Sequence, residues 1–98
     1  MTESQYQRYL IRKLNEMFPD CMVILTDPNY IQGLPDILIL YGKKWAMLEV
    51  KTSLKAPVQP NQIYYVDMLD VMSFASFISP EVERDVLNEL QQAFGVVR

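Results

Sequence analysis

The sequence predicts an α/β fold: a helix, three strands, a second helix, a fourth strand and a C-terminal helix, built on a mixed sheet. Three observations predict it. Apolar residues at helical spacing mark both ends of the chain, Tyr6, Leu10, Leu14 and Met17 at one and Val82, Val86, Leu90 and Phe94 at the other. Between them lie short runs rich in Ile, Leu and Val, separated by Pro, Gly, Asn and Asp. A helical stretch opening at Pro60 then separates the third apolar run from the fourth, and a helical crossover implies parallel pairing where a tight turn implies antiparallel pairing. Ninety-eight residues make one domain, 1–98, with one core.

The elements follow in order. Thr2 to Phe18 is the first helix, with Thr2 and Gln5 fitting a capping box and Pro19 as the stop. At about 100° per residue, Glu3 falls in the same stripe as Leu10 and Leu14. It is either a first-turn acid favoured by the helix dipole or a carboxylate aimed inward. Arg8 and Arg12 form a separate basic line, a solvated face or a phosphate contact. Cys21 to Thr26 reads as a strand, and Asp27 to Leu34 as a loop with Pro28, Asn29 and Gly33 as turn residues. Asp36 to Tyr41 and Trp45 to Lys51 form a hairpin around Gly42 and Lys43, with Gly where a type II′ turn prefers it.

Thr52 to Gln59 is a second loop. Pro60 takes a helix first position, and the helix runs to about Met72. Tyr65, Val66, Leu69 and Met72 make its core stripe. Gln62 lies in that stripe, as a cap or as a site residue. Tyr64, Met68 and Val71 lie on another side, to be covered by the last helix or by a partner. Ser73 to Ser79 is the fourth strand. Ser79, Pro80 and Glu81 read as N-cap, first-position proline and first-turn acid of the last helix, which Gly95 ends.

The hairpin carries the chemistry. If Tyr41 pairs with Lys44, counting back sets Asp36 opposite Glu49, roughly 5 Å apart at Cβ. Lys51 lies two residues further along the same face. Asp-Ile-Leu-Ile-Leu-Tyr is nearly continuous apolar sequence, as in a strand covered on both faces, and charges there are costly unless paired or metal-bound. A divalent cation resolves the repulsion, since Mg²⁺ favours one or two carboxylates plus water and phosphate oxygens. Singly, Asp36 also suits the opening of a strand, and Glu49 with Lys51 a solvated edge pair.

Composition narrows the chemistry. The chain has no histidine, which excludes Ser-His-Asp and Cys-His catalysis and ordinary His-containing zinc sites. One cysteine, Cys21, excludes an internal disulfide and fits a reducing compartment. No apolar run approaches the roughly 18 residues of a membrane span, and Met-Thr-Glu-Ser-Gln lacks a secretory-signal layout, so an intracellular protein is expected. A formal net charge of -3 disfavours a nucleic-acid partner, unless bound cations offset the carboxylates locally.

Pro35-Asp36, twelve intervening residues, then Glu49-Val50-Lys51 resembles the PD-(D/E)XK nuclease signature. With Gln62 near the start of the next helix and an acid on the first, the chain resembles the small stand-alone, phage-type VRR-NUC branch, similar to Holliday-junction resolvases. The six leading elements match that superfamily's αβββαβ restriction-endonuclease-like core. The resemblance implies a Mg²⁺- or Mn²⁺-dependent DNA endonuclease acting on branched DNA as a homodimer. It implies that Asp36, Glu49 and the Val50 carbonyl hold the metal. Lys51 either positions or deprotonates the attacking water or touches phosphate, Gln62 orients water or substrate, and Glu3 meets a metal-held water. The alternative is a catalytically silent nuclease fold that binds nucleic acid or a protein, against which three retained charges in buried strands argue. A sequence-specific restriction enzyme is disfavoured by size. Six tyrosines and Trp45 are candidates for base stacking, though their spacings also suit core or interface.

Overall fold

The computed structural model describes residues 1–96 and has the expected element order. Helix α1 is Glu3–Met17, β1 Met22–Leu25, β2 Ile37–Tyr41, β3 Lys44–Val50, α2 Pro60–Met72, β4 Phe74–Ile78 and α3 Glu83–Phe94. The capping box opens α1: the Thr2 hydroxyl accepts the Gln5 N–H at 3.1 Å, and Gln5 Oε1 accepts the Thr2 N–H at 2.8 Å.

The strands lie in the order β1-β2-β3-β4, antiparallel through β3 and parallel between β3 and β4. The hairpin pairs Tyr41 with Lys44 and, four steps back, Ile37 with Leu48. Gly42 sits at φ +60 and Lys43 is not left-handed, as a type II′ turn requires. One further step along this register opposes Asp36 and Glu49.

Side-chain alternation divides the sheet into two faces. On one, Ile37, Ile39, Ala46, Leu48 and Val50 meet Tyr6, Leu10 and Leu14 of α1 and Val86, Leu87, Leu90 and Phe94 of α3. On the other, Leu38, Trp45, Met47, Ala75 and Phe77 pack with Leu34 and with Val66 and Leu69 of α2. Asp36 and Glu49 belong to this second face by alternation, at the end of the sheet where α2 begins.

Three expectations change. The second face is covered by a single helix, so β2 is not buried on both sides: Leu40 is 37% exposed, with Met22 and Ile24 beside it also open on the edge strand. Met72 is not core but exposed at the end of α2, whose apolar contact with this face of the sheet is made by Val66 and Leu69. Ser79 does not cap α3. The strand pairing holds up to Ile78, the residue before it, whose carbonyl accepts the Lys51 N–H at 2.9 Å. Ser79 is therefore buried, a turn closes from its carbonyl to the Val82 N–H, and the helix starts at Glu83. The last helix lies across the opposite face of the sheet, in the core cluster that excludes α2, and leaves Tyr64 and Val71 exposed. Among the described residues no helix is long and apolar enough to cross a membrane.

Candidate metal centre

Three elements deliver the carboxylates. Asp36 immediately precedes β2, Glu49 is the penultimate residue of β3, and Glu3 is the first residue of α1. One carboxylate oxygen from each lies within 4.8 Å of the other two. Glu3 is on a helix packed against the far face, yet it reaches the centre because that helix starts at the end of the sheet. Its place in the Leu10 and Leu14 stripe points it inward, although the residue itself is exposed.

Backbone geometry adds a fourth oxygen. The Val50 N–H donates to Asp36 Oδ2 at 2.9 Å, so that edge of β3 faces Asp36. The Lys51 N–H points the other way, to Ile78. A trans peptide sets the preceding carbonyl opposite its N–H, which turns the Val50 carbonyl to the Asp36 side. Lys51 Nζ donates to Gln62 Oε1 and to the Pro57 carbonyl, each at 2.9 Å, and stands 4.0 Å from Glu49 Oε2. Gln62 Nε2 donates to Glu49 Oε2 at 3.2 Å, and its Oε1 also accepts the Gln59 N–H at 2.9 Å. Gln62 thus caps the helix and also bonds Glu49 and Lys51. All six sequence-predicted positions converge: Glu3, Asp36, Glu49, Val50, Lys51 and Gln62. Arg8 and Arg12 do not, being exposed on the side of α1 turned away from Glu3.

No family model and no curated protein sequence matches the chain. Two solved structures do. One, described as a VRR_NUC domain protein, superposes with a TM-score of 0.73 over 98% of this chain and 90% of its own, at 15% identity. The other is Hjc, a Holliday junction resolvase from the archaeal hyperthermophile Archaeoglobus fulgidus, with a TM-score of 0.53 over 78% of this chain and 67% of its own, at 14% identity. The chain shares the fold of these two structures.

Within this shared fold the facing carboxylates, Asp36 and Glu49, sit in an unequal environment. Glu49 is 2% exposed. Burial first, then the facing Asp36 carboxylate and, more weakly, Glu3, push its pKa up to about 8, against the opposing pull of Lys51. A hard cation held by carboxylate and carbonyl oxygens fits such a donor set: it replaces the proton as the charge that makes the cluster tolerable.

Two supports were not anticipated. Glu83 accepts from Tyr6 (2.9 Å), Tyr9 (3.0 Å) and Lys13 (3.0 Å), tying α3 to α1 one turn beyond Glu3. Burial raises the Glu83 pKa, but the bonds from Lys13, Tyr6 and Tyr9 outweigh it and hold the group below the usual carboxylate range. Burial and the same carboxylate push the Tyr6 phenol well up. The i, i+4 spacing of Tyr9 and Lys13 was a visible signal for one half of this cluster. Asn61 donates to the Gln32 carbonyl at 3.2 Å and fastens the β1–β2 loop to the first turn of α2. Gly33 is required there: at φ +93, an added Cβ would lie 2.7 Å from Asn61 Cγ.

Proposed function

We propose that this chain, a single domain over 1–98, is an intracellular Mg²⁺- or Mn²⁺-dependent endodeoxyribonuclease selective for branched DNA. The observation that carries the reading is the meeting of three carboxylates from three separate elements within 4.8 Å, with a lysine fixed beside them. Holding three carboxylates together with one of them, Glu49, buried is costly, and no core-packing requirement explains the placement. The two structural neighbours, described as a VRR_NUC domain protein and a Holliday junction resolvase, support the same reading.

Asp36, Glu49 and the Val50 carbonyl would hold the cation, with Glu3 completing the acidic wall. A bound divalent cation supplies Lewis-acid neutralisation of phosphate charge and acidifies water. The chain's own groups do the rest. Lys51 is presented as a donor, held by Gln62 and Pro57, and so is placed to orient a water or meet a phosphate oxygen. Gln62 fixes Lys51 and Glu49 relative to each other, which preorganises the site. Glu3 borders the opening as an acceptor for a water proton. A homodimer formed over α2 would bring two such sites together, as paired incision of a four-way junction requires. Exposed Tyr64 and Val71, together with the open sheet face at Met22 and Leu40, support that assembly.

A gel assay comparing linear duplex, single strand, flap and four-way junction tests the proposal. Mg²⁺-dependent cutting, strongest on branched DNA and abolished by Asp36→Asn, is expected. Absence of cutting on all four substrates in both Mg²⁺ and Mn²⁺ would overturn it.

A further inference from the structure

Two loops leave the sheet at the end that carries the carboxylates, and each shows solvent a large apolar side chain. Tyr30, on the β1–β2 loop, is 83% exposed, and Leu54, on the β3–α2 loop, is 63% exposed. Neither loop is slack. In the first, Asp27 accepts the Asn29 N–H through its side chain and the Tyr30 N–H through its carbonyl, and the Ile31 carbonyl accepts the Leu34 N–H. The loop's far end is tied back to its root, because the Thr26 N–H donates to the Asp36 carbonyl and the Thr26 hydroxyl to the Pro35 carbonyl. Asn61 then clamps the same loop to α2. In the second, the Leu54 N–H donates to Glu81 Oε2, the Lys55 N–H to the Ser53 hydroxyl, and Lys51 grips the Pro57 carbonyl.

The sheet order places the two loops that carry these residues on opposite sides of the centre. The Tyr30 loop joins β1 to β2 and ends directly at Asp36. The Leu54 loop follows Lys51 and is pinned by Glu81 to the corner between β4 and α3. Asp36, at the entry to β2, and Glu49, on β3, belong to the two middle strands and lie between these loops. An exposed aromatic ring on a fixed backbone is preorganised for stacking: little conformational freedom remains to be lost on contact. Every base offers a π-face, but only an unstacked base can present it, and apolar side chains that enter base steps favour DNA already unpaired or bent.

We propose that Tyr30 and Leu54 hold unstacked bases on either side of the scissile phosphate, and that this pair makes the enzyme take DNA whose bases are unpaired or displaced at the cut. Lys55, exposed and next to Leu54, offers a positive charge to the adjoining phosphate. The inference rests on the nuclease reading and gives its branch selectivity a location outside the catalytic residues.

The full-length chain is titrated, in Ca²⁺, with three DNAs of one sequence: a linear duplex, a flap and a four-way junction. The two branched DNAs carry 2-aminopurine at the branch. Tyr30→Ala should weaken branched-DNA binding about tenfold, as loss of one base–aromatic stack does, with duplex binding nearly unchanged. It should also abolish the 2-aminopurine quenching. Tyr30→Phe should retain both properties, and Leu54→Ser should reproduce the selective loss. Melting curves of the three variants should match that of the wild type, since both side chains are exposed. Equal loss on all three DNAs, or no loss, would overturn the proposal while leaving a cleaving wild type as support for the nuclease reading. A wild type that binds and cuts no DNA would overturn both.

Discussion

The proton on Glu49 should compete directly with metal. With its pKa pushed up to about 8, Glu49 is mostly protonated in the metal-free protein at neutral pH. A cation entering the cluster must displace that proton. Below about pH 8 each unit of acidification should then weaken apparent affinity up to tenfold, or about 1.4 kcal/mol. Ligand linkage converts this into melting temperature. Mn²⁺ at a hundred times its dissociation constant adds about 2.7 kcal/mol. For a domain of this size, each 1 kcal/mol raises the melting temperature by about 4–8 °C, so the total at pH 8 is roughly 10–20 °C.

At pH 6 the same Mn²⁺ concentration lies near the weakened dissociation constant and should add only about 0.4 kcal/mol, or roughly 2–3 °C. The metal-free protein should show the complementary trend. Between about 4.5 and about 8 the unfolded Glu49 is ionised while the folded one keeps its proton, so this group lowers stability as pH rises through that window. Glu49→Gln should remove both the decline and the Mn²⁺ response. Thermal melts at pH 6, 7 and 8 across a Mn²⁺ series measure all of this. A melting temperature indifferent to Mn²⁺, or a Mn²⁺ shift of equal size at every pH, would refute the reasoning.

Three other outcomes are expected. Glu83→Gln should cost about 1–3 kcal/mol in urea denaturation by weakening the bonds from Tyr6, Tyr9 and Lys13. In the wild type this stability is present above the unfolded carboxylate pKa and is lost as pH falls through the lower folded value, so the variant's deficit should vanish in acid. Gly33→Ala should cost about 1–3 kcal/mol, because the residue is left-handed and its Cβ would strike Asn61; a neutral result would mean that the loop is not clamped as described. Sedimentation at micromolar concentration should give about twice the chain mass, and Val71→Asp, at an 89% exposed position, should shift it toward monomer without lowering the monomer's stability. Met68 is the weaker choice, since the structure half-buries it.

Local rules were enough to determine the elements and the hairpin site. The Thr2 capping box, Pro60 at the start of α2 and Gly42 in a two-residue turn act over a few residues, so the sequence displays them directly. Register follows from the turn, and with it the opposition of Asp36 and Glu49, because side chains alternate strictly along paired strands. The helical stripe of α1 likewise showed which way Glu3 points. Tertiary structure alone decided how far each face is covered. Nothing in Asp36 to Tyr41 reveals that only one helix lies over its second face, so the exposure of Leu40 and Met72 was not legible. The same holds for Ser79, whose capping pattern was overridden because it directly follows the parallel ladder with β3, is buried there and opens a turn to Val82 instead. The Glu83 tie to α1 spans seventy or more residues of chain, and no spacing rule reaches that far. The unusual protonation of Glu49 is of the same kind: it arises from burial and from two carboxylates that only folding brings near it.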